Sequence, residues 1–207
     1  MPHFYLSVDC DAAALIALQH ELASSVQKVS VNDLVVRACA LALRAVPDAH
    51  VQFAGDKLLA FERADIAIAI AVEGGLVTPV LRGADHHDVF EIRRRTQELA
   101  ARARSNGLTA DDLAGGTFTI SNLGMYGIRF VLPIINSPQC GILGVGEAQQ
   151  RPVVRDGAIK VGTVMTLTAS FDHRAVDGAT GAHFLQALQE LLETPLRLVL
   201  PFRRSET

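Results

Sequence analysis

Proton transfer near neutral pH needs a side chain that titrates there, and His is the one type that does so without help. The segment Asp172-His173-Arg174-Ala175-Val176-Asp177-Gly178 sets a histidine four residues ahead of an aspartate, with a glycine next. Three readings fit these residue types. His173 is a structural histidine beside a turn-forming Asp-Gly. Alternatively, His173 and Asp177, with His183, are metal ligands, a weak reading because a helical pair supplies two ligands and no Cys/His cluster supplies the rest. In the third, His173 is a general base. A second polar candidate is Ser121, where Gly115-Gly116-Thr117-Phe118-Thr119-Ile120 runs into Ser121-Asn122-Leu123-Gly124-Met125-Tyr126-Gly127. A hydroxyl at such a junction can donate to a developing oxyanion. No Gly-x-Ser-x-Gly elbow surrounds it, so it is a poor nucleophile; alone it would be a turn-capping serine.

The elements that position these residues are legible. Met165, Leu167, Ala169 and Phe171 alternate with Thr166, Thr168 and Ser170, the period of a strand with one apolar and one hydroxyl face. After the motif, Ala182, Leu185, Leu188 and Leu192 recur at helical spacing up to Thr194-Pro195. His173 therefore sits on a strand-to-helix connection, where side chains are aimed rather than buried.

Helix and strand patterns alternate along the rest of the chain. Asp11 can cap a helix carrying Leu15, Leu18 and Leu22, and Ser30-Val31-Asn32-Asp33 resembles a capping box for a second helix that stops before Pro47. Val51–Phe53 and Leu58–Phe61 flank Gly55-Asp56 as a hairpin. The run from Ile66 to Val72 alternates Ile and Ala and is expected to be one strand buried on both faces. Leu76–Leu81 is expected to be an edge strand, because Pro79 interrupts its ladder. A polar-faced helix spans Asp88 to Arg104 and closes at Asn106-Gly107. Further strands are expected at Thr117–Ser121, Cys140–Val145, Val153–Val154, Ala158–Val161 and Val164–Phe171. The fold class that follows is mixed α/β, one domain with a large sheet covered by helices.

Bulk properties narrow the function. The 207 residues can bury a core without disulfides or metals, and a net charge of -3 gives no reason to expect nucleic acid or an anionic membrane as partner. Cys10, Cys39 and Cys140 form no CxxC pair and are expected to be reduced core thiols. The start, Met1-Pro2-His3, has neither a basic patch nor an apolar run, so no secretory leader is expected, and no stretch is long enough for a membrane span.

Several ordered segments together resemble one family. Pro2-His3-Phe4-Tyr5-Leu6, Ser30-Val31-Asn32-Asp33, Gly74-Gly75-Leu76-Val77-Thr78-Pro79, Gly115 through Asn122, Ile134-Ile135-Asn136-Ser137-Pro138-Gln139 and Asp172 through Gly178 look like the catalytic domain of dihydrolipoyl acyltransferases. These are the core subunits of 2-oxoacid dehydrogenase complexes. Chloramphenicol acetyltransferase shares the fold and the histidine motif but lacks the other segments.

The resemblance implies a chloramphenicol acetyltransferase-like fold, with His173 as catalytic base, Asp177 as the motif aspartate that organises the loop, and Ser121 as the oxyanion-stabilising hydroxyl. Arg174 is expected to be a structural ion-pair partner. It also implies a homotrimer in which base and hydroxyl come from different subunits, and a channel entered by coenzyme A and the lipoyl arm from opposite ends. The expected reaction moves an acyl group, most like acetyl, between dihydrolipoamide and coenzyme A, with no metal. An ordinary thiol titrates about 2 units above an ordinary imidazole, so that proton transfer costs roughly 2.7 kcal/mol, a small part of a catalysed barrier. Expected partners are the lipoyl domain and the dehydrogenase components of the complex. The expected compartment is the bacterial cytoplasm or the mitochondrial matrix. The alternative function is a catalytically silent trimeric scaffold of the same fold.

Residues 1–207 are expected to be this catalytic domain alone. No lipoyl or peripheral-subunit-binding body is evident, and Gly55-Asp56-Lys57 is an ordinary hairpin rather than a lipoylated turn. The continuation through Pro201-Phe202-Arg203-Arg204 leaves assembly beyond the trimer open.

Overall fold

The computed structural model describes residues 1–24 and 28–200. In chain order the elements are β1 (His3–Asp11), α1 (Ala13–Ser24), α2 (Val31–Ala45), β2 (Val51–Phe53), β3 (Leu58–Ala60), β4 (Ile66–Ile68), β5 (Ile70–Val72), β6 (Gly75–Val77), β7 (Val80–Leu81), α3 (Val89–Arg104), α4 (Ala110–Leu113), β8 (Phe118–Asn122), β9 (Gly141–Arg155), β10 (Ala158–Asp172), α5 (Gly178–Glu193) and α6 (Leu196–Val199). Six strands form the main sheet in the order β1-β10-β9-β8-β4-β7, and β2-β3 and β5-β6 form two small hairpins. The mixed α/β class expected from sequence is the class observed.

The helix starts follow their caps. Ser30 and Asp33 form a reciprocal capping box at α2, and Asp88 accepts from the Glu91 N–H at α3. Asp11 accepts from the Ala13 N–H at 3.1 Å just before α1. Helix α2 is buried over most of its length and packs on α5, which in turn lies on β1 and β10. Between helices and sheet, Phe118, Phe171 and Phe184 meet with ring centroids 5.3–6.3 Å apart.

The alternation of β10 sorts its residues as the sequence implies, but both faces are buried. Leu167, Ala169 and Phe171 face the helices. The hydroxyl face is covered by the irregular segment 127–139, where Ser170 Oγ donates to Pro133 O at 2.5 Å. Gly146 permits this crossing, since a Cβ there would overlap the Arg129 carbonyl oxygen.

Three strand expectations are corrected. The run from Ile66 to Val72 is not one buried strand: β4 lies buried in the main sheet, while β5 leaves it and pairs with β6 around Gly74. Leu76–Leu81 is likewise divided between β6 and β7, with Pro79 in the gap; β7 does lie at the sheet edge. The short strands expected between residues 140 and 171 are two 15-residue strands, β9 and β10, joined at Asp156-Gly157. Both turn residues have positive φ, the conformation a two-residue hairpin favours. The short helix α4, capped by Thr109, has no counterpart in the sequence reading.

All three cysteines are free and buried. Burial pushes the Cys10 thiol up to about 12, with Glu193 and Asp11 adding to it, which leaves it unreactive. Among the described residues no helix is long and apolar enough to cross a membrane. Residues 201–204, whose role in assembly the sequence left open, lie outside the described residues.

Candidate active site

His173 follows directly on β10, in the turn that leads to α5. Its own chain holds that turn firmly. The Asp172 carbonyl accepts from the N–H groups of Ala175 and Val176, both at 3.0 Å. The Asp172 carboxylate is fully buried and takes a two-pronged contact from Arg174, Nε to Oδ1 at 3.0 Å and Nη2 to Oδ2 at 2.7 Å. Burial alone would raise the Asp172 carboxyl; the Arg174 guanidinium and backbone N–H outweigh it and hold the group below the usual carboxylate range. The guanidinium stacks over the Phe53 ring, 4.3 Å from its centroid. Arg174 is thus the structural ion-pair partner expected from sequence.

Asp177 is the N-cap of α5, its side chain accepting from the Thr180 N–H at 2.7 Å. That bond is the first cause holding its carboxyl below the ordinary value, and the nearby His173 adds to it. Asp177 organises the helix start and has no bond to the imidazole. The His173 N–H donates to the Pro2 carbonyl at 2.9 Å, and its ring lies against Phe4 with centroids 4.7 Å apart.

Ser121 is the penultimate residue of β8 and is half-buried. Its hydroxyl has no hydrogen-bond partner among the described residues. It lines a cleft of about 670 Å³ together with Asn32, Leu76, Arg93, Arg104 and Asn122. Asn122 fixes the turn beyond the strand: its Nδ2 donates to Asn32 Oδ1 at 3.0 Å and its Oδ1 accepts from the Gly124 N–H at 2.9 Å.

The two candidate groups lie at opposite ends of the sheet. Strand β8 runs parallel to β9, which runs antiparallel to β10; Ser121 is level with Gly144, and Gly144 with Thr168. His173 is five residues farther along β10, so about 3.3 Å per residue and two strand spacings of about 4.8 Å separate them by roughly 20 Å. Within one chain they do not converge. Among the described residues no group of three His, Cys, Asp or Glu is placed to hold a metal ion.

Residues 1–200 match the family 2-oxoacid dehydrogenases acyltransferase (catalytic domain). The chain belongs to that family. It is 46% identical, over 96% of its length, to the dihydrolipoyllysine-residue acetyltransferase component of the pyruvate dehydrogenase complex of Zymomonas mobilis. The corresponding component of Rickettsia bellii is 42% identical over 97% of the chain. These alignments cover 46% and 49% of the two relatives, so the chain spans about half the length of the curated relatives it matches. Among solved structures, a probable dihydrolipoamide acetyltransferase from Listeria monocytogenes superposes with a TM-score of 0.90 at 35% identity, covering 94% of this chain and 85% of that one. The dihydrolipoamide acetyltransferase of Azotobacter vinelandii gives 0.91 at 32%, covering 96% and 84%. Chloramphenicol acetyltransferase, at 16% identity and a TM-score of 0.59 over 92% and 88%, shares the fold.

The sequence reading of the acyltransferase family did not assign Phe4 and Phe53 any place at this site. Phe4 reaches His173 only because β1 pairs with β10, and Phe53 reaches Arg174 from a separate hairpin. Nothing in the local pattern signals either contact; the Pro2-His3-Phe4 segment was the nearest clue.

Proposed function

We propose that this chain transfers an acetyl group between dihydrolipoamide and coenzyme A, as the catalytic domain of a 2-oxoacid dehydrogenase complex of the pyruvate type. One observation carries the reading. The Azotobacter enzyme was solved to define the roles of one serine, one histidine and one asparagine in its catalytic mechanism. Its serine and histidine are fifty-two positions apart, and the asparagine follows the histidine by four. Ser121, His173 and Asp177 stand at the same separations, with Asp in place of Asn.

In this reading an imidazole nitrogen of His173 takes the proton of the attacking thiol. The thiolate adds to the thioester carbonyl carbon, and Ser121 of a second copy donates to the oxyanion. Collapse breaks the other carbon–sulfur bond, and the imidazolium returns its proton to the departing sulfur. The distance of roughly 20 Å within one chain supports a site shared between copies. So does the apolar surface of the cleft that Ser121 lines, where Met125 and Leu76 are 75% and 64% exposed. We read that surface as the contact of a homotrimer, and the chain as a single catalytic domain. A neighbour of 33% identity and TM-score 0.91 is the cubic core of a pyruvate dehydrogenase multienzyme complex, which favours a higher-order core here as well. Lipoyl domains and dehydrogenase components would then be partners, in a bacterial cytoplasm or, as the name of the Arabidopsis relative states, in a mitochondrion.

The test is acetyl transfer from acetyl-coenzyme A to dihydrolipoamide in the parent and in His173→Ala. The expected result is an active parent and a loss of about 10²–10⁴ in kcat for the variant. A fully active His173→Ala chain removes the base assignment; an inactive parent favours the silent scaffold.

A further inference from the structure

The backbone around His173 is fixed by Asp172, Asp177 and Pro2, but none of these contacts fixes the ring. No other described residue hydrogen-bonds to either imidazole nitrogen, and the Asp177 carboxylate is turned to the Thr180 N–H as the cap of α5. The ring lies against Phe4, at 4.7 Å between centroids and 51° between planes.

Phe4 is itself held in place. It lies opposite Phe171 in the β1–β10 register, and its ring packs at 6.0 Å against Phe171, which is fully buried. Its neighbours on the strand point the other way, as alternation requires: His3 Nε2 and Tyr5 Oη lie 2.7 Å apart and engage each other. Pro2 closes the same corner by accepting the His173 N–H. The start of β1 thus brings one aromatic face, backed by the core, against the imidazole.

We propose that Phe4 is a positioning residue for the reaction, holding the His173 imidazole in one orientation through ring contact. This rests on the reading of His173 as the base. Restricting a reacting group to one geometry acts on turnover rather than on substrate binding. A side chain without a ring, at similar bulk, keeps the strand packed and releases the imidazole.

The experiment measures acetyl-transfer kinetics and thermal midpoints for the parent, Phe4→Leu, Phe4→Tyr, His173→Ala and the Phe4→Leu/His173→Ala pair. Phe4→Leu is expected to lower kcat about 10–100-fold with KM for coenzyme A within about twofold, and Phe4→Tyr to restore most of the loss. In the His173→Ala background Phe4→Leu is expected to change the residual turnover by less than about twofold, because its effect passes through the imidazole. Phe4→Met replaces Phe4→Leu if the leucine variant loses the parent's thermal midpoint. A parent-like kcat without the ring overturns the inference, as does an equal loss in both backgrounds; in either case an inactive His173→Ala leaves the base assignment standing. A His173→Ala chain with parent turnover removes that assignment and the inference with it.

Discussion

The two ends of the main sheet are finished in different ways. At the His173 end, buried polar groups are partnered from within the chain, with His50 Nδ1 left unpaired. Asp172 is paired with Arg174, Asp65 accepts from Arg63 and from the Gly83 N–H, and His50 Nε2 lies 2.7 Å from Thr117 Oγ1. At the Ser121 end the hydroxyl has no partner among the described residues and faces an open cleft, and the following segment leaves Met125, Tyr126 and Phe130 exposed. In the reading proposed above, that apolar surface is what a second copy covers. One end is held from within the chain; the other, in that reading, is completed by a second copy.

The sharpest way to break that contrast is to inactivate each end in a different copy. Co-expressed His173→Ala and Ser121→Ala chains, isolated through two tags, contain both variants in every assembly. If the site spans a head-to-tail contact in a trimer, one site in three has an intact pair, and about a third of parent turnover returns. Each variant alone is expected to lose about 10² or more. A mixture as inactive as its components means that base and hydroxyl do not work across copies.

Next in size is a pH effect confined to the His173 end. Burial, the main cause, lowers the His50 imidazole from 6.5 to about 4; Asp85 opposes this and Arg44 assists it. The folded value lies below the unfolded one, so the unfolded chain binds the extra proton. The contribution is complete above about pH 6.5 and is lost as pH falls toward 4, up to about 3 kcal/mol in all. Denaturant midpoints measured across that window are expected to fall in the parent and to flatten in His50→Gln. An unchanged slope would mean that His50 is not held neutral.

How much of this was legible in sequence follows from how local each feature is. The β10 alternation, the Ser30–Asp33 capping box and the helix start near Asp88 are written within a few residues, and the structure reproduces them. The break at Ala69 is not local. The Ile-Ala alternation runs straight through it, yet the Ala69 N–H bonds to Ile120 O and the chain then leaves the sheet. Sheet membership is decided by partners distant in sequence, which periodicity cannot see. The same holds for the candidate site: type and spacing single out His173, Asp177 and Ser121 but leave their roles open, which the family resemblance supplies, while Phe4 and Phe53 become relevant only through pairing and packing.

A smaller effect tests how the His173 turn is held. Arg174→Ala leaves the buried Asp172 carboxylate without its partner and removes the cation over Phe53. The thermal midpoint is expected to drop by roughly 5 °C. Arg174→Lys should recover only part of it, because an ammonium cannot reproduce the fork that meets both carboxylate oxygens. Full recovery by Lys would show that charge, not geometry, holds the turn.

The smallest effect concerns Asp177, where this chain departs from the asparagine of the Azotobacter enzyme. Its carboxylate caps α5 through the Thr180 N–H, and Asn is as good a cap as Asp. Asp177→Asn is therefore expected to keep kcat within about twofold of the parent and to leave the thermal midpoint unmoved. Asp177→Ala removes the acceptor and is expected to lower the midpoint by about 3 °C. If Asp177→Asn instead cost as much turnover as His173→Ala, the charge itself would be acting on the imidazole, and the His173 end would be a catalytic pair rather than a single base on a capped turn.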